Sequence, residues 1–248
     1  MRRLPAILFA IVFYPILTIY TIVSVTIMTL YMIVTAPFFS HVKNMQRFRR
    51  LIRVYGYGII HYLARPMGPV LYKAAPRDIK TAKLIICNHI AASDPFLMAC
   101  LQEVAVQVVN VWPFKLPVWG AFARWSGYLN VKQMEADAFV EACATLLQEG
   151  TSIIAFPEGT RAGEKPMGPF HSVMFRVALA TKVPILPMCI YGNAHAPARG
   201  SLLIQPTTVR VHCLPEITWE TYQSMTPFQL KNHVRDLIQM EVERMKTA

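Results

Sequence analysis

The sequence predicts an α/β fold: a mixed sheet covered by helices, joined to an N-terminal membrane-embedded helical segment. Two observations carry this. Leu4 to Ser40 holds no Lys, Arg, Asp or Glu. From Val70 onward, short β-branched and apolar runs alternate with stretches of helical periodicity, the pattern of strands separated by covering helices. The change of style divides the chain into membrane-anchoring helices over 1–66 and an α/β domain over 67–248.

The uncharged run is long. As one helix it would extend on the order of 55 Å at 1.5 Å per residue, against a bilayer core of about 30 Å. It therefore has to tilt, or to break at Pro15 or Pro37. A cleaved signal peptide is disfavoured, because the apolar stretch far exceeds the usual core of about 7–15 residues and no small-residue cleavage site ends it. A second segment, His41 to Ala64, places Arg47, Arg49, Arg50 and Arg53 ahead of Ile59, Ile60 and Leu63. That order suits a helix lying at the headgroup level, although Gly56 and Gly58 weaken it as an unbroken helix. The arginines place this flank on the cytoplasmic side. A hairpin entering one leaflet, with both ends cytoplasmic, is the alternative.

In the α/β part, strands are expected at Lys83–Cys87, Val104–Val111, Tyr128–Val131, Thr151–Phe156, Pro184–Tyr191 and Thr208–Leu214. Helices are expected at Pro95–Gln102, Val118–Ser126, Ala136–Gln148 and Ser172–Thr181. The last helix announces its own start: Thr226 as N-cap, Pro227 at the first helical position and Gln229 closing a capping box. Leu230, Val234, Leu237, Ile238 and Val242 then form its apolar stripe.

Composition narrows the partners. The formal net charge is +11, 54% of residues are hydrophobic, and the mean hydropathy is +0.35. No acidic residue precedes Asp78, whereas ten Lys or Arg residues do. Such charge beside an apolar run indicates attraction to an anionic membrane, roughly 1 kcal/mol per basic residue near the surface. Nucleic acid is not expected, since no helix-turn-helix, zinc-finger or aromatic RNA-binding pattern is present. Cys87, Cys100, Cys143, Cys189 and Cys213 lack metal-ligand spacing and read as reduced, mostly buried thiols.

Two loops carry chemistry. Asn88-His89-Ile90-Ala91-Ala92-Ser93-Asp94-Pro95 follows the apolar strand Leu84-Ile85-Ile86-Cys87. Asp94-Pro95 is a natural N-cap and first-turn pair. His89 then sits at the carboxyl end of a strand, where open α/β sheets place ligands. A His acting as general base needs a carboxylate to hold its tautomer and stabilise the imidazolium. Across a turn, Asp94 can reach His89. The second loop, Phe156-Pro157-Glu158-Gly159-Thr160-Arg161, ends the strand Ser152-Ile153-Ile154-Ala155. A glycine that lets backbone approach closely, a hydroxyl and a guanidinium suit a phosphate monoester. Taken alone, each loop also reads as an ordinary turn.

Other chemistries fit less well. Cys87 ends an apolar strand, which favours an inert thiol over a nucleophile. No Gly-x-Ser-x-Gly elbow exists. His89, Asp94 and Glu158 lack the His or Cys pairs of a metal site.

Together, His89-x4-Asp94 and Phe156-Pro157-Glu158-Gly159-Thr160-Arg161 resemble the glycerolipid acyltransferase family, and within it the bacterial 1-acyl-sn-glycerol-3-phosphate (lysophosphatidate) acyltransferases. Lys115-Leu116-Pro117-Val118-Trp119-Gly120 and Val183-Pro184-Ile185-Leu186-Pro187 resemble two further family blocks, so the likeness runs from about Leu84 to Ile190. It implies transfer of a fatty acyl group from acyl-CoA or acyl carrier protein to the sn-2 hydroxyl of lysophosphatidate, giving phosphatidic acid. His89 would be the base and Asp94 its orienter. Glu158, Gly159, Thr160 and Arg161 would hold the glycerol phosphate. The resemblance implies no cofactor, no metal and no acyl-enzyme, and places the enzyme on the bacterial inner membrane with its catalytic domain facing the cytoplasm. Ala91 and Ala162 stand where the family usually has Ser. Asn110, Val111 and Val131-Lys132-Gln133 stand where it often has Lys or Arg, with Lys115 and Lys132 as available substitutes. Another lysolipid acceptor, such as an amino-acid lipid, and a non-catalytic lipid-binding protein are the alternatives.

Overall fold

The structure, a computed structural model, describes residues 3–109, 120, 126–131 and 133–247. Most of the helix expected at Val118–Ser126, most of the block Lys115–Gly120, and Lys132 lie outside the described residues.

Helix α1 (Arg3–Thr35) runs unbroken through Pro15. Its end comes at the 3-10 turn Ala36–Phe38, where Pro37 sits in the first turn. Of the two possible breaks, the chain therefore uses Pro37. The segment is the one helix among the described residues that is long and apolar enough to cross a membrane. Ser40 caps helix α2 (His41–Gly58), accepting from the Lys43 N–H. Five residues, Ile59–Leu63, continue α2 as a π-helical turn.

α1 and α2 pack as a hairpin. Tyr20 stacks on Tyr55 with ring centroids 5.4 Å apart, and the Thr21 and Tyr55 hydroxyls share a 2.8 Å hydrogen bond. The outward side of α1 leaves Leu4, Ile11, Ile19, Ile27 and Ile33 exposed. The two glycines that weaken α2 on propensity are packing positions. A Cβ on Gly56 would lie 2.8 Å from the Ala99 Cβ, and one on Gly58 would lie 2.1 Å from the Tyr20 hydroxyl. Arg49 departs from the headgroup expectation. It is buried, and donates to the Thr151 hydroxyl at 2.9 Å and to the Ser126 carbonyl at 3.4 Å. Burial pulls its pKa down.

The sheet comprises β1 (Val70–Ala74), β2 (Leu84–Cys87), β3 (Ala105–Val109), β4 (Leu129–Asn130), β5 (Ser152–Ala155), β6 (Ile185–Tyr191) and β7 (Val209–Cys213). Its order is β1-β7-β6-β2-β5-β3-β4. All pairs are parallel except β6 with β7, so the sheet is mixed. Among the described residues the further helices are α3 (Asp94–Ala99), α4 (Ala136–Gln148), α5 (Val173–Thr181), α6 (Trp219–Tyr222) and α7 (Pro227–Thr247).

β2, β5 and β6 are central and covered on both faces, which is why they read as continuous apolar runs. One face, with Leu84, Ile86, Val106 and Ile153, packs against Phe139 of α4, Phe175 of α5 and Val234 of α7. The other, with Ile85, Cys87, Ile154 and Met188, packs against Leu97 and Met98 of α3. The α1–α2 hairpin closes over α3 on that side, with Phe96 meeting Tyr55. The capping box forms as expected. Gln229 Oε1 accepts from the Thr226 N–H at 2.8 Å, and the Gln229 N–H donates to the Thr226 hydroxyl at 3.3 Å. The five cysteines are free, and all but Cys100 are buried.

Candidate active site

β2 ends at Cys87, and the next residue keeps the loop in line with the sheet. The Asn88 amide donates to the Ile190 carbonyl at 2.9 Å and accepts from the Ile190 N–H at 2.8 Å, imitating one more rung of pairing with β6. His89 follows. Its Nδ1 lies 2.7 Å from Asp94 Oδ2. The same oxygen accepts from the backbone N–H of Ile90 at 2.6 Å and of Ala91 at 2.9 Å. Oδ1 accepts from the Asn193 side-chain amide.

The Asp94 side chain is fully buried, whereas His89 keeps 18% of its side chain exposed. Asp94 is therefore not the N-cap that Asp94-Pro95 suggests. Ser93 occupies the cap position without a side-chain cap bond, and Asp94 is the first residue of α3. Its carboxylate turns back to gather the loop, because four donors there outnumber what a capped helix end would offer. An ionised carboxylate only accepts, so Nδ1 carries the proton and Nε2 is the free basic nitrogen of the neutral ring. The Phe156 ring stacks on the imidazole at 4.5 Å, inclined 27°.

The loop after β5 is laced to the first. The Ala162 N–H donates to the His89 carbonyl at 2.8 Å, and the Gly163 N–H to the Ile90 carbonyl at 3.1 Å. Glu158 lies beneath this seam. Its Oε1 accepts from the His89 N–H at 2.7 Å and its Oε2 from the Gly168 N–H at 2.9 Å. Burial raises the Glu158 pKa, opposed in part by those two amides. Gly159 has φ +67°, and a Cβ there would lie 3.2 Å from His171 Nε2, so the turn needs glycine. Gly159 and Thr160 are exposed. Among the described residues Arg161 makes no hydrogen bond or ion pair.

His89 and Arg161 line one cavity of about 430 Å³. Its walls run between the sheet, α3 and the hairpin, through Phe13, Leu17, Ile52, Phe96 and Val109. An imidazole, a guanidinium and an apolar wall thus share one cavity. Of the site residues read from the sequence, His89 bonds to both Asp94 and Glu158, and Arg161 lines the same cavity as His89. Cys87 is buried and its pKa pushed well up by desolvation, as befits an inert thiol. Asn193 went unread. It follows β6 by two residues, and no spacing links it to Asp94.

A family model described as "Acyltransferase" matches residues 67–191. The chain belongs to the acyltransferase family. The acyltransferase is similar to a crystal structure of the 1-acyl-sn-glycerophosphate acyltransferase PlsC from Thermotoga maritima. The TM-score is 0.83 and the identity 20%, over 100% of this chain and 99% of that one, which establishes a shared fold. A 1-acyl-sn-glycerol-3-phosphate acyltransferase of Limnanthes alba is 25% identical over 178 residues, spanning 70% of this chain and 63% of its own length. The Borreliella burgdorferi protein of that name is 27% identical over 176 residues, 67% of this chain and 68% of its own. The acyltransferase spans 36% to 63% of the length of the plant relatives from Limnanthes alba, Brassica napus and Cocos nucifera.

Proposed function

We propose that this acyltransferase transfers a fatty acyl group from a thioester donor, acyl-CoA or acyl carrier protein, to the sn-2 hydroxyl of lysophosphatidate. The observation that carries the reading is the His89–Asp94 contact of 2.7 Å at the mouth of a cavity that Arg161 also lines. His89 Nε2 takes the hydroxyl proton as the oxygen forms its bond to the thioester carbonyl carbon. The tetrahedral intermediate collapses, the C–S bond breaks, and the imidazolium returns the proton to the leaving thiolate. Asp94 holds the ring and stabilises the imidazolium in between. No cofactor or metal enters these steps. Arg161, with Thr160 and the Gly159 backbone beside it, receives the phosphate monoester. Glu158 supports this cradle from behind His89. The apolar cavity receives an acyl chain. α1 and α2 embed in the bacterial inner membrane, so that the mouth meets lipid at the cytoplasmic face.

The test is transfer by the full chain in bilayers with a panel of lysolipids. Lysophosphatidate is expected to be the best acceptor, and His89→Ala to abolish transfer. A preference for an acceptor without a phosphate monoester, such as a lyso-ornithine lipid, would overturn the acceptor. Undiminished transfer by His89→Ala would overturn the mechanism.

A further inference from the structure

The cavity wall is mostly apolar, with His89, Ser93, Gln107, Arg161, Gln205 and Thr207 among its polar members. Among the described residues, the buried side-chain polar atoms without a hydrogen-bond partner are Asn44 Oδ1, Gln107 Oε1 and Asn193 Oδ1. Only Gln107 belongs to a residue lining the cavity.

Its position follows from register. Gln107 pairs with Ile154, and Ile154 with Ile85, so Gln107 lies on the face covered by α3. The Gln107 side-chain amide donates to the Pro95 carbonyl at 2.8 Å. That bond sets which way the amide faces, since turning it over would bring two oxygens together. Oε1 is left as a bare acceptor on a residue that is only 4% exposed. Val108 pairs with Leu129, which brings Tyr128 beside Gln107 on the same face. Tyr128 also lines the cavity, and its hydroxyl makes no hydrogen bond among the described residues.

We propose that Gln107 and Tyr128 form a polar notch in the acyl cavity that takes a hydroxyl group carried along the acyl chain. An amide oxygen accepts the hydroxyl proton, and the phenol donates to or accepts from the hydroxyl oxygen. A plain methylene at this point leaves both groups dry, which costs free energy when a buried acceptor is unpaired. A site built to bond a hydroxyl discriminates against the chain that lacks it far better than an apolar wall recognises an added methylene. Ile85 stands four residues before His89, about 13 Å at 3.3 Å per residue, so the hydroxyl belongs mid-chain rather than next to the thioester. The inference rests on the reading that the cavity holds an acyl chain. That chain is either the donor's or the one already on the lysolipid.

The test begins with binding, which does not require turnover. Stearate, and stearates with one hydroxyl at successive mid-chain carbons, displace a fluorescent fatty acid from the full chain in detergent. One hydroxylated isomer is expected to bind about tenfold more tightly than stearate, the worth of one hydrogen bond to a buried acceptor. In Gln107→Met with Tyr128→Phe that isomer is expected to fall to the level of stearate. The single Tyr128→Phe, which keeps the ring, covers the case in which the double variant does not fold. If no isomer outbinds stearate, or if the advantage survives both substitutions, the notch holds water or nothing and the proposal fails. Transfer assays then place the hydroxyl on either the donor or the acceptor, and the favoured arm names the source. A binding preference without transfer in either arm would sink the acyl-transfer reading and leave the notch standing.

Discussion

Glu158 Oε1 and the backbone nitrogen of His89 are 2.7 Å apart, so the second sequence element grips the first at the residue proposed as the base. The usual expectation for a carboxylate in such a loop is contact with substrate. Here both oxygens are spent on backbone amides, Gly168 being the other partner. Glu158→Ala is expected to lower kcat by roughly 10- to 100-fold, the worth of buried hydrogen bonds to a charged acceptor, and to change the acceptor KM much less. Steady-state kinetics in mixed micelles separate the two. A large KM effect with normal kcat would return Glu158 to the substrate.

The raised Glu158 pKa has a signed consequence. The folded protein holds this proton above the ordinary carboxylate value of 4.5, where the unfolded chain has released it. Stability linked to this group is therefore full below that value and declines as pH climbs through the raised one. Expressed as Tm of wild type minus Tm of Glu158→Gln, the difference should fall as pH increases from about 4.5 and then level off. A difference that rises over the same range would contradict the burial argument.

Asp94→Asn puts an amide where four donors converge. Whichever way it turns, its NH₂ faces a donor: the Asn193 amide on one side, or the imidazole and the loop N–H groups on the other. Transfer should drop by on the order of 10³–10⁴-fold, with a fall in Tm as the loop loosens. Normal activity in this variant would remove Asp94 from the mechanism.

Arg161→Ala tests the phosphate cradle. Loss of a charge-assisted contact predicts a rise in lysophosphatidate KM of roughly 10- to 100-fold, with little change for an uncharged lysolipid. Equal losses for both acceptors would show that the guanidinium does not read the headgroup.

Gly56 supplies a structural prediction. Gly56→Ala forces a methyl against Ala99, and overpacking of this kind typically costs about 1–3 kcal/mol. Ala99→Gly in the same chain removes the nearest obstacle and should recover part of the loss, read as Tm of the double variant. No interaction between the two substitutions would mean that α2 and α3 meet elsewhere.

How far the sequence announced all this depends on the range of the interaction. Ala136–Gln148 forms a helix over the expected residues, and the central strands match to within a residue at each end, because both are driven by local periodicity and burial on two faces. β1 (Val70–Ala74) was not anticipated as a strand. It is an edge strand, mostly exposed, and its alignment on β7 supplies what its composition does not. The contact of His89 with Asp94 was legible because the two residues face each other across a turn at a strand exit. Asn193 was not, since its bond to Asp94 joins segments about a hundred residues apart. The inward turn of Arg49 was hidden for the same reason: its partners Ser126 and Thr151 lie far along the chain.

That inward arginine changes what the anchor is. A leash can be cut without harming what it holds. α2 is riveted to the α/β half through Arg49, and Phe13, Leu17 and Ile52 form part of the cavity that His89 lines. Clipping the first two helices to obtain a soluble enzyme would therefore unroof the vessel and bare its oily lining. The membrane segment is less a tether than one of the walls of the reaction room.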